Sequence, residues 1–491
     1  MTTDTTQQAE TAPSRRLSGN LGTISIIFMV IAAAAPLTVV GGLMPIAFLM
    51  GNGIGLPVMF LVATVILILF AVGLLAMGKQ IPGSGAFFAY ITHGLGRTVG
   101  TAGAYLALLT YSAVQVSVFA LLGGAVSSSL ALIGLPVIPW WVFALVGIAI
   151  VGFLGYRHIE LSSKVLFVAL GLEILVGLLL ALVVLATGGA EGVTFGSFKL
   201  SEILSGAPGV ALMFAFAGFI GFESSVVYRN EVRNADRTIP RATYGAAVII
   251  GLFYALTAWA LVLAAGESNL LAVAGEDPAG MLARITDEYL GPVGSIVATV
   301  LLIGSMFAAA LSLHNVLTRY FHTMSHRGLL PELLGDVHTR HGSPHKAAIV
   351  QVSIATVLTV VIVIAGLPAE IVLTWLAGIG TLALVLLMAT TCLATIVYFA
   401  RNRGLVSAWR GLIAPALGLI GLIAAALLII MNFPIMVADL DAEGIPVWGV
   451  ASFGTLLVVV LTPFVGVIQA RVIRKRDPEA YSRITEGFDA E

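Results

Sequence analysis

The stretch FAFAGFIGFESSVVYRNEVRNADRTIPR, Phe214–Arg241, decides how this chain is read. It opens as an apolar membrane segment, yet holds Gly218, Gly221 and an acid, Glu223, within it. It ends in a basic run, Arg229, Arg233, Arg237 and Arg241, closed by Ile239-Pro240. Glycines lower the cost of unwinding a spanning helix, and an unwound turn frees backbone groups to meet a ligand. An ionised carboxylate near the bilayer centre costs roughly 2.5–3.5 kcal/mol on insertion scales, so such a residue faces a cavity or a partner. Two readings follow: a kinked packing helix with its acid at the wet end, or a substrate site in a transporter.

The rest of the chain favours the second. Of its 491 residues 59% are hydrophobic and only 10% charged, whereas soluble domains carry about 25% charged residues. This composition describes an all-α polytopic membrane protein. A formal net charge of −1 offers no surface for nucleic acid. The single cysteine, Cys392, excludes an intrachain disulfide and reads as a small buried hydrophobe. The polar Met1–Glu10 segment does not read as a cleavable signal, and residues 1–20 are expected to form a cytoplasmic tail ending at Arg15-Arg16.

About twelve apolar runs approach the roughly 20 residues that a bilayer needs. They cover 22–50, 56–78, 97–130, 137–155, 159–187, 209–229, 242–266, 292–321, 347–366, 370–400, 411–432 and 446–471. The linker from Gly366 to Ala369 is short enough to be a tight reversal. With the N-terminus in the cytoplasm, only Lys199 and Arg284 of the 24 Lys and Arg residues fall outside. The outer loops instead hold acids such as Glu267, Glu276, Asp277 and Asp439. This asymmetry predicts both termini in the cytoplasm, and the lack of targeting signals with alanine-rich, leucine-rich helices suggests a bacterial plasma (inner) membrane.

Only two acids, Glu173 and Glu223, lie well inside predicted runs, and no run carries a basic residue away from its ends. A carboxyl buried without a cationic partner favours its neutral form, which a proton carrier requires. Both are therefore candidate proton-coupling residues. The plain alternative for Glu173 is a hydrogen-bonded acid packed between helices.

The first run has its own irregularity, AAAAPLTVVGG at Ala32–Gly42. Pro36 lacks an N–H and clashes with the preceding turn, so it kinks or breaks the helix. This break has a counterpart five runs later at Gly218–Gly221. Interrupted helices at corresponding positions of two halves point to a midplane binding site between inverted repeats. The repeats are then residues 21–187 and 209–400, followed by a helix pair at 411–471 and a cytoplasmic tail at 472–491.

Three further stretches carry a family resemblance. Ile81–Gly96 reads IPGSGAFFAYITHGLG, with Ala86 and Phe88 in place of a commoner Gly and Tyr. GFIGFES is followed by NEVRNADRTIPRA, and Arg319–Pro344 reads RYFHTMSHRGLLPELLGDVHTRHGSP. In order and spacing these segments resemble those of the amino acid–polyamine–organocation (APC) permeases. The resemblance implies a LeuT-like fold of five-plus-five inverted repeats with broken helices 1 and 6, and alternating access around them. In that picture amides after the first break hold a substrate carboxylate, and carbonyls at the second hold an amino group. The matching positions are Ala34, Ala35, Pro36, Leu37 and Thr38, and Phe216, Ala217, Gly218, Phe219 and Gly221.

Two departures stand out. Well-known amino acid permeases carry Gly-Ser-Gly-type turns in helix 1, whereas this chain has Ala-Ala-Pro. Pro36 donates no hydrogen bond, which weakens an α-carboxylate clamp and keeps amines in play. Several proton-linked members use a helix-5 lysine in place of a sodium ion; here Glu173 stands near that position, while Lys164 lies toward the cytoplasmic end.

Tyr111 and Gln115 lie one helical turn apart and are candidates to reach a substrate, although helix–helix hydrogen bonding is the commoner role of such groups. Trp259 and Trp375 fit interfacial anchors, Trp375 with a possible role as a lid. The histidines at 322, 326, 338, 341 and 345 follow no zinc spacing, and no metal or cofactor is expected. The basic run Arg471–Arg476 is expected against anionic lipid headgroups. The sequence thus points to a secondary transporter importing an amino acid or small amine, coupled to protons. An exchanger and a non-transporting amino acid sensor are the alternatives. A membrane enzyme would want a nucleophile–base pair or a metal cluster within the spans, and neither is visible.

Overall fold

The computed structural model describes residues 22–81, 86–132, 134–157, 163–223, 232, 234–338 and 343–486. The expected N-terminal tail, Gly83–Gly85 of the first motif, Arg229, Arg233, Arg340 and His341 lie outside these residues. The described chain is helical and carries no β-strand. In lipid, an apolar segment must satisfy its own backbone groups, and the helix does so within one segment.

In chain order the helices are α1 (Thr23–Ala34), α2 (Met44–Met50), α3 (Leu56–Gln80), α4 (Ala86–Leu95), α5 (Arg97–Leu132) and α6 (Trp140–Tyr156). Next come α7 (Ser163–Thr187), α8 (Leu200–Ile203), α9 (Pro208–Ala217), α10 (Ala235–Ala265), α11 (Leu270–Glu276) and α12 (Met281–His326). The chain closes with α13 (His345–Ile364), α14 (Ala369–Arg401), α15 (Ala414–Met431), α16 (Phe433–Met436), α17 (Val450–Arg476) and α18 (Pro478–Glu486).

Among the described residues ten helical stretches are long and apolar enough to cross a membrane, and α6 and α9 are shorter apolar helices. Each of the twelve apolar runs overlaps one of these stretches. Several helices open on proline, at Pro45, Pro57, Pro208 and Pro415. There the missing N–H removes a donor that has no partner in the helix anyway. The reversal at 365–368 separates α13 from α14, as the short linker requires.

Two boundaries differ from the sequence reading. The eighth run was placed to begin at Pro292; α12 begins earlier, but its regular path is interrupted at Gly291, with φ 74° and ψ 177°. Residues 281–290 are thus a separate helical segment that carries Asp287 and Glu288. The expected tail 472–491 contains a further helix, α18, whose Ala480 and Ile484 are buried.

The molecule is organised around α5, which packs against α4, α6, α12, α14 and α17. On the other side α10 packs against α1, α3 and α7. Outward-facing apolar side chains cover the periphery: Phe167, Leu175 and Leu179 on α7, Val357 and Val361 on α13, and Phe464, Val465 and Ile468 on α17. These are the faces a bilayer covers. Between the two groups of helices lie the broken segments that follow α1 and α9.

Candidate functional site

The first break is made by one residue in an unusual conformation. Ala35 has φ 46° and ψ 71°, the left-handed region, which costs an L-residue about 1–2 kcal/mol. Its cause is Pro36, which disfavours the helical region for the residue before it and contributes no donor of its own. The Ala35 amide closes α1 by bonding Ala32 O at 3.2 Å. The next available amide, Leu37 N, has lost its helical acceptor.

That amide donates to Glu173 Oε2 on α7 at 3.1 Å. The same carboxylate oxygen accepts from Ser305 Oγ on α12 at 2.9 Å, and Ser305 in turn accepts from Thr38 Oγ1 at 3.1 Å. The freed carbonyl of Ala34 accepts from the Tyr254 hydroxyl on α10 at 3.3 Å. The chain then recovers through a wider π-helical turn, Thr38–Leu43, before α2. Leu37, Thr38, Glu173 and Ser305 are all buried. An unpaired backbone donor at this depth costs about 1–3 kcal/mol, so the Glu173 contact is what makes the break tolerable.

The second break is built differently. After α9 the chain tightens into successive short turns, Phe219 N to Phe216 O at 3.0 Å, Ile220 N to Ala217 O at 3.2 Å and Phe222 N to Phe219 O at 3.1 Å. Gly221 sits at φ 102°, and its amide donates to Glu223 Oε2 at 3.0 Å. The other carboxylate oxygen accepts from the Tyr111 hydroxyl on α5 at 2.6 Å. The Tyr111 ring lies 5.5 Å from that of Tyr320 on α12. Glu223 is buried, and with the two tyrosines it closes one side of the break.

The two breaks touch. A Cβ on Gly221 would lie 2.9 Å from Ala33 Cβ and 3.2 Å from Ala33 O, and one on Gly218 would lie 3.1 Å from Val39 Cγ1. Ala33 and Val39, on either side of Ala34–Thr38, therefore pack against Gly221 and Gly218 at one junction. Two carboxylates, Glu173 and Glu223, flank it. Among the described residues neither pairs with a lysine or arginine; the ion pairs, such as Lys79–Asp236, lie outside the apolar interior. Carboxylates held by neutral donors in a buried site are suited to receive a proton or an organic cation.

Not every sequence candidate joins this cluster. Gln115 Nε2 donates to Ala310 O at 3.2 Å, and Gln115 Oε1 accepts from Gln351 Nε2 at 2.5 Å. It ties α5 to α12 and α13, the helix–helix role. The carbonyls of Ala217 and Phe219 each already accept a turn bond, leaving one lone pair each for a ligand, while that of Phe216 accepts from both Gly218 N and Phe219 N. Trp259 donates to Thr194 O at 3.1 Å and stacks with Phe195 in an outer loop. Among the described residues no three His, Cys, Asp or Glu side chains group to hold a metal ion. Sequence reasoning missed Tyr254 and Tyr320; each is a polar-tipped residue inside an apolar run, the only signal they carry.

The family model "Amino acid permease" matches residues 25–479, which includes both breaks and both carboxylates. The chain belongs to the amino acid permease family. It is 23% identical over 278 residues to the low-affinity putrescine importer PlaP of Escherichia coli K12, covering 54% of this chain and 58% of the importer. It is 34% identical over 140 residues to the uncharacterized transporter Rv1999c of Mycobacterium tuberculosis H37Rv, covering 28% of this chain and 30% of that protein. An uncharacterized transporter of Legionella pneumophila, lpg1691, is 24% identical over 301 residues, or 58% of this permease and 61% of its own length. The chain thus matches less than two thirds of the length of each of these relatives.

Proposed function

We propose that this permease is a secondary transporter that takes up a small organic amine, coupled to protons, by alternating access around the two helix breaks. One observation carries the choice of amine over amino acid. Leu37 N, the amide that the first break frees, is already bonded to the protein's own carboxylate, Glu173 Oε2. A substrate carboxylate at that amide would have to displace Glu173 and sit beside it, and two like charges in a buried site repel. An ammonium group meets the opposite situation, with two carboxylates and the free lone pairs of the α9-end carbonyls to receive it.

A similar relative is named as an importer of putrescine, a diamine without a carboxylate. That name agrees with the reading and does not carry it. Glu223 and Glu173 serve as the proton-coupling residues, and Ala34–Thr38, Phe216–Phe219, Gly221 and Tyr111 line the substrate path. The inverted-repeat reading of residues 21–187 and 209–400 draws support from each half opening on a broken helix, with the breaks in contact. The basic-residue asymmetry supports cytoplasmic termini.

The test is uptake into proteoliposomes of labelled pooled amines and, separately, labelled pooled amino acids, with and without an inward proton gradient. Gradient-driven uptake of the amine pool is expected. Uptake confined to the amino acid pool would overturn the amine assignment. Amine uptake only after preloading the vesicles with substrate would replace proton coupling with exchange.

A further inference from the structure

The short helix α18 folds back under the end of the helix bundle. Its apolar side, Ala480 and Ile484, is buried, and Ile484 packs in a cluster with Phe88 and Ala89 of α4, Ala104 of α5, and Met324 and Leu329. Polar contacts anchor both sides of it. Arg327 Nη1 donates to Ile484 O at 2.9 Å, and Tyr481 OH meets Thr98 Oγ1 at 3.0 Å. Arg97 Nε and Nη2 both reach Thr485 Oγ1, at 2.9 and 2.7 Å.

Between α18, the α4–α5 corner and the end of α17 lies a cavity of about 620 Å³. Its polar lining is Thr92, Arg97, Arg474, Tyr481 and Thr485. Both guanidinium groups lie near the Tyr481 ring, with Cζ 5.5 Å (Arg97) and 5.9 Å (Arg474) from its centroid. Among the described residues neither arginine forms an ion pair with a carboxylate. Two guanidinium groups with no carboxylate partner among the described residues, sharing one hydroxyl-lined cavity, favour an oxyanion with several acceptor oxygens, a phosphate above all.

The position of the cavity identifies the carrier of that phosphate. It lies at the end of α17, a helix long and apolar enough to span a membrane, with Arg474 in that helix's last turn. The end of a membrane-spanning helix lies at the depth of the lipid headgroups, which brings a lipid phosphate within reach of the cavity. We propose that this cavity binds the phosphate headgroup of an anionic lipid, which bridges Arg97 and Arg474 and holds α18 against the bundle. The inference is independent of what the permease transports.

The test is thermal unfolding of the purified full-length protein in detergent, titrated with short-chain phosphatidylglycerol, with phosphatidylcholine, or with inorganic phosphate. Phosphatidylglycerol is expected to raise Tm in a saturable way, and the other two are not. Arg474→Gln is the informative variant: among the described residues the Arg474 guanidinium makes only the ring contact with Tyr481, so its loss is expected to leave the fold intact. Losing one charge-assisted partner is expected to weaken the phosphatidylglycerol response about tenfold. Arg476→Gln removes the same charge outside the cavity and is expected to leave the response unchanged. Equal weakening in both variants, or none in either, would overturn the site in favour of general surface charge. A full response to inorganic phosphate alone would overturn the lipid as its source.

Discussion

The two helix breaks solve the same problem by opposite means. The break after α9 is satisfied largely from within: short turns use up its amides, and Glu223, two residues on, caps Gly221. The break after α1 has no such local supply. Pro36 gives no donor, Ala35 is held in a left-handed conformation, and Leu37 finds its acceptor 136 residues away on α7. The amides of the second break thus depend little on its neighbours, although Glu223 also accepts from Tyr111 on α5. The first can move only if α7 and α12 move with it or Glu173 lets go. The two carboxylates are therefore placed differently: Glu223 caps its own turn and accepts from Tyr111, and Glu173 ties the first break to α7 and α12.

The largest effect on this contrast comes from Glu223. Glu223→Gln keeps a hydrogen-bond acceptor for Tyr111 and removes the titratable group, so proton-driven accumulation in proteoliposomes is expected to fall to the level of protein-free vesicles. Accumulation at the wild-type rate would remove Glu223 from the coupling and leave Glu173 alone. Next in size is Gly221→Ala. It forces an L-residue to φ 102° and drives its Cβ to 2.9 Å from that of Ala33. A loss of about 2–4 kcal/mol, or outright failure to fold, is expected from strain and overpacking combined. A Tm unchanged from wild type would mean that the breaks do not pack so closely.

How much of this was legible in the sequence follows from the range of the interactions involved. The membrane helices were readable because each depends on a local run of about 20 apolar residues. Pro36 and the Gly218–Gly221 pair announced the breaks because backbone chemistry is local. Tyr111, Glu173 and Glu223 could be flagged one at a time as polar groups in apolar runs. Their pairing could not, because Tyr111 and Glu223 stand 112 residues apart and Leu37 and Glu173 136 apart. For the same reason Gln115 was grouped with Tyr111 by spacing, although it bonds to α12 and α13 instead. The helix α18 was missed for a different reason. Its apolar side is only Ala480, Ile484 and part of Tyr481, too little to stand out from a polar tail until Phe88 and Leu329 are brought beside it.

A pair of substitutions at Glu173 separates the structural tie from the proton carrier. Glu173→Ala leaves the Leu37 amide unsatisfied in the interior and is expected to destabilise the protein by about 1–3 kcal/mol. Glu173→Gln keeps an acceptor oxygen for Leu37 and Ser305 and is expected to retain most of the stability. If Glu173 also carries protons, the Gln variant folds yet loses part of its proton-driven uptake. Uptake and Tm both matching wild type in Glu173→Gln would reduce Glu173 to the structural joint alone.

The smallest effect, and the most direct comparison of the breaks, is Ala35→Gly. Relief of the left-handed conformation is worth about 1–2 kcal/mol, against which the added freedom of the unfolded chain subtracts about 0.4–1 kcal/mol. A net gain of roughly 0.5–1 kcal/mol is therefore expected, the opposite sign to Gly221→Ala. Chemical denaturation of the two variants in the same detergent checks the pair. Destabilisation by Ala35→Gly would mean that the alanine methyl contributes more by packing in the buried junction than its backbone loses in strain. The first break would then owe its shape to the surrounding core as well as to Pro36 and Glu173.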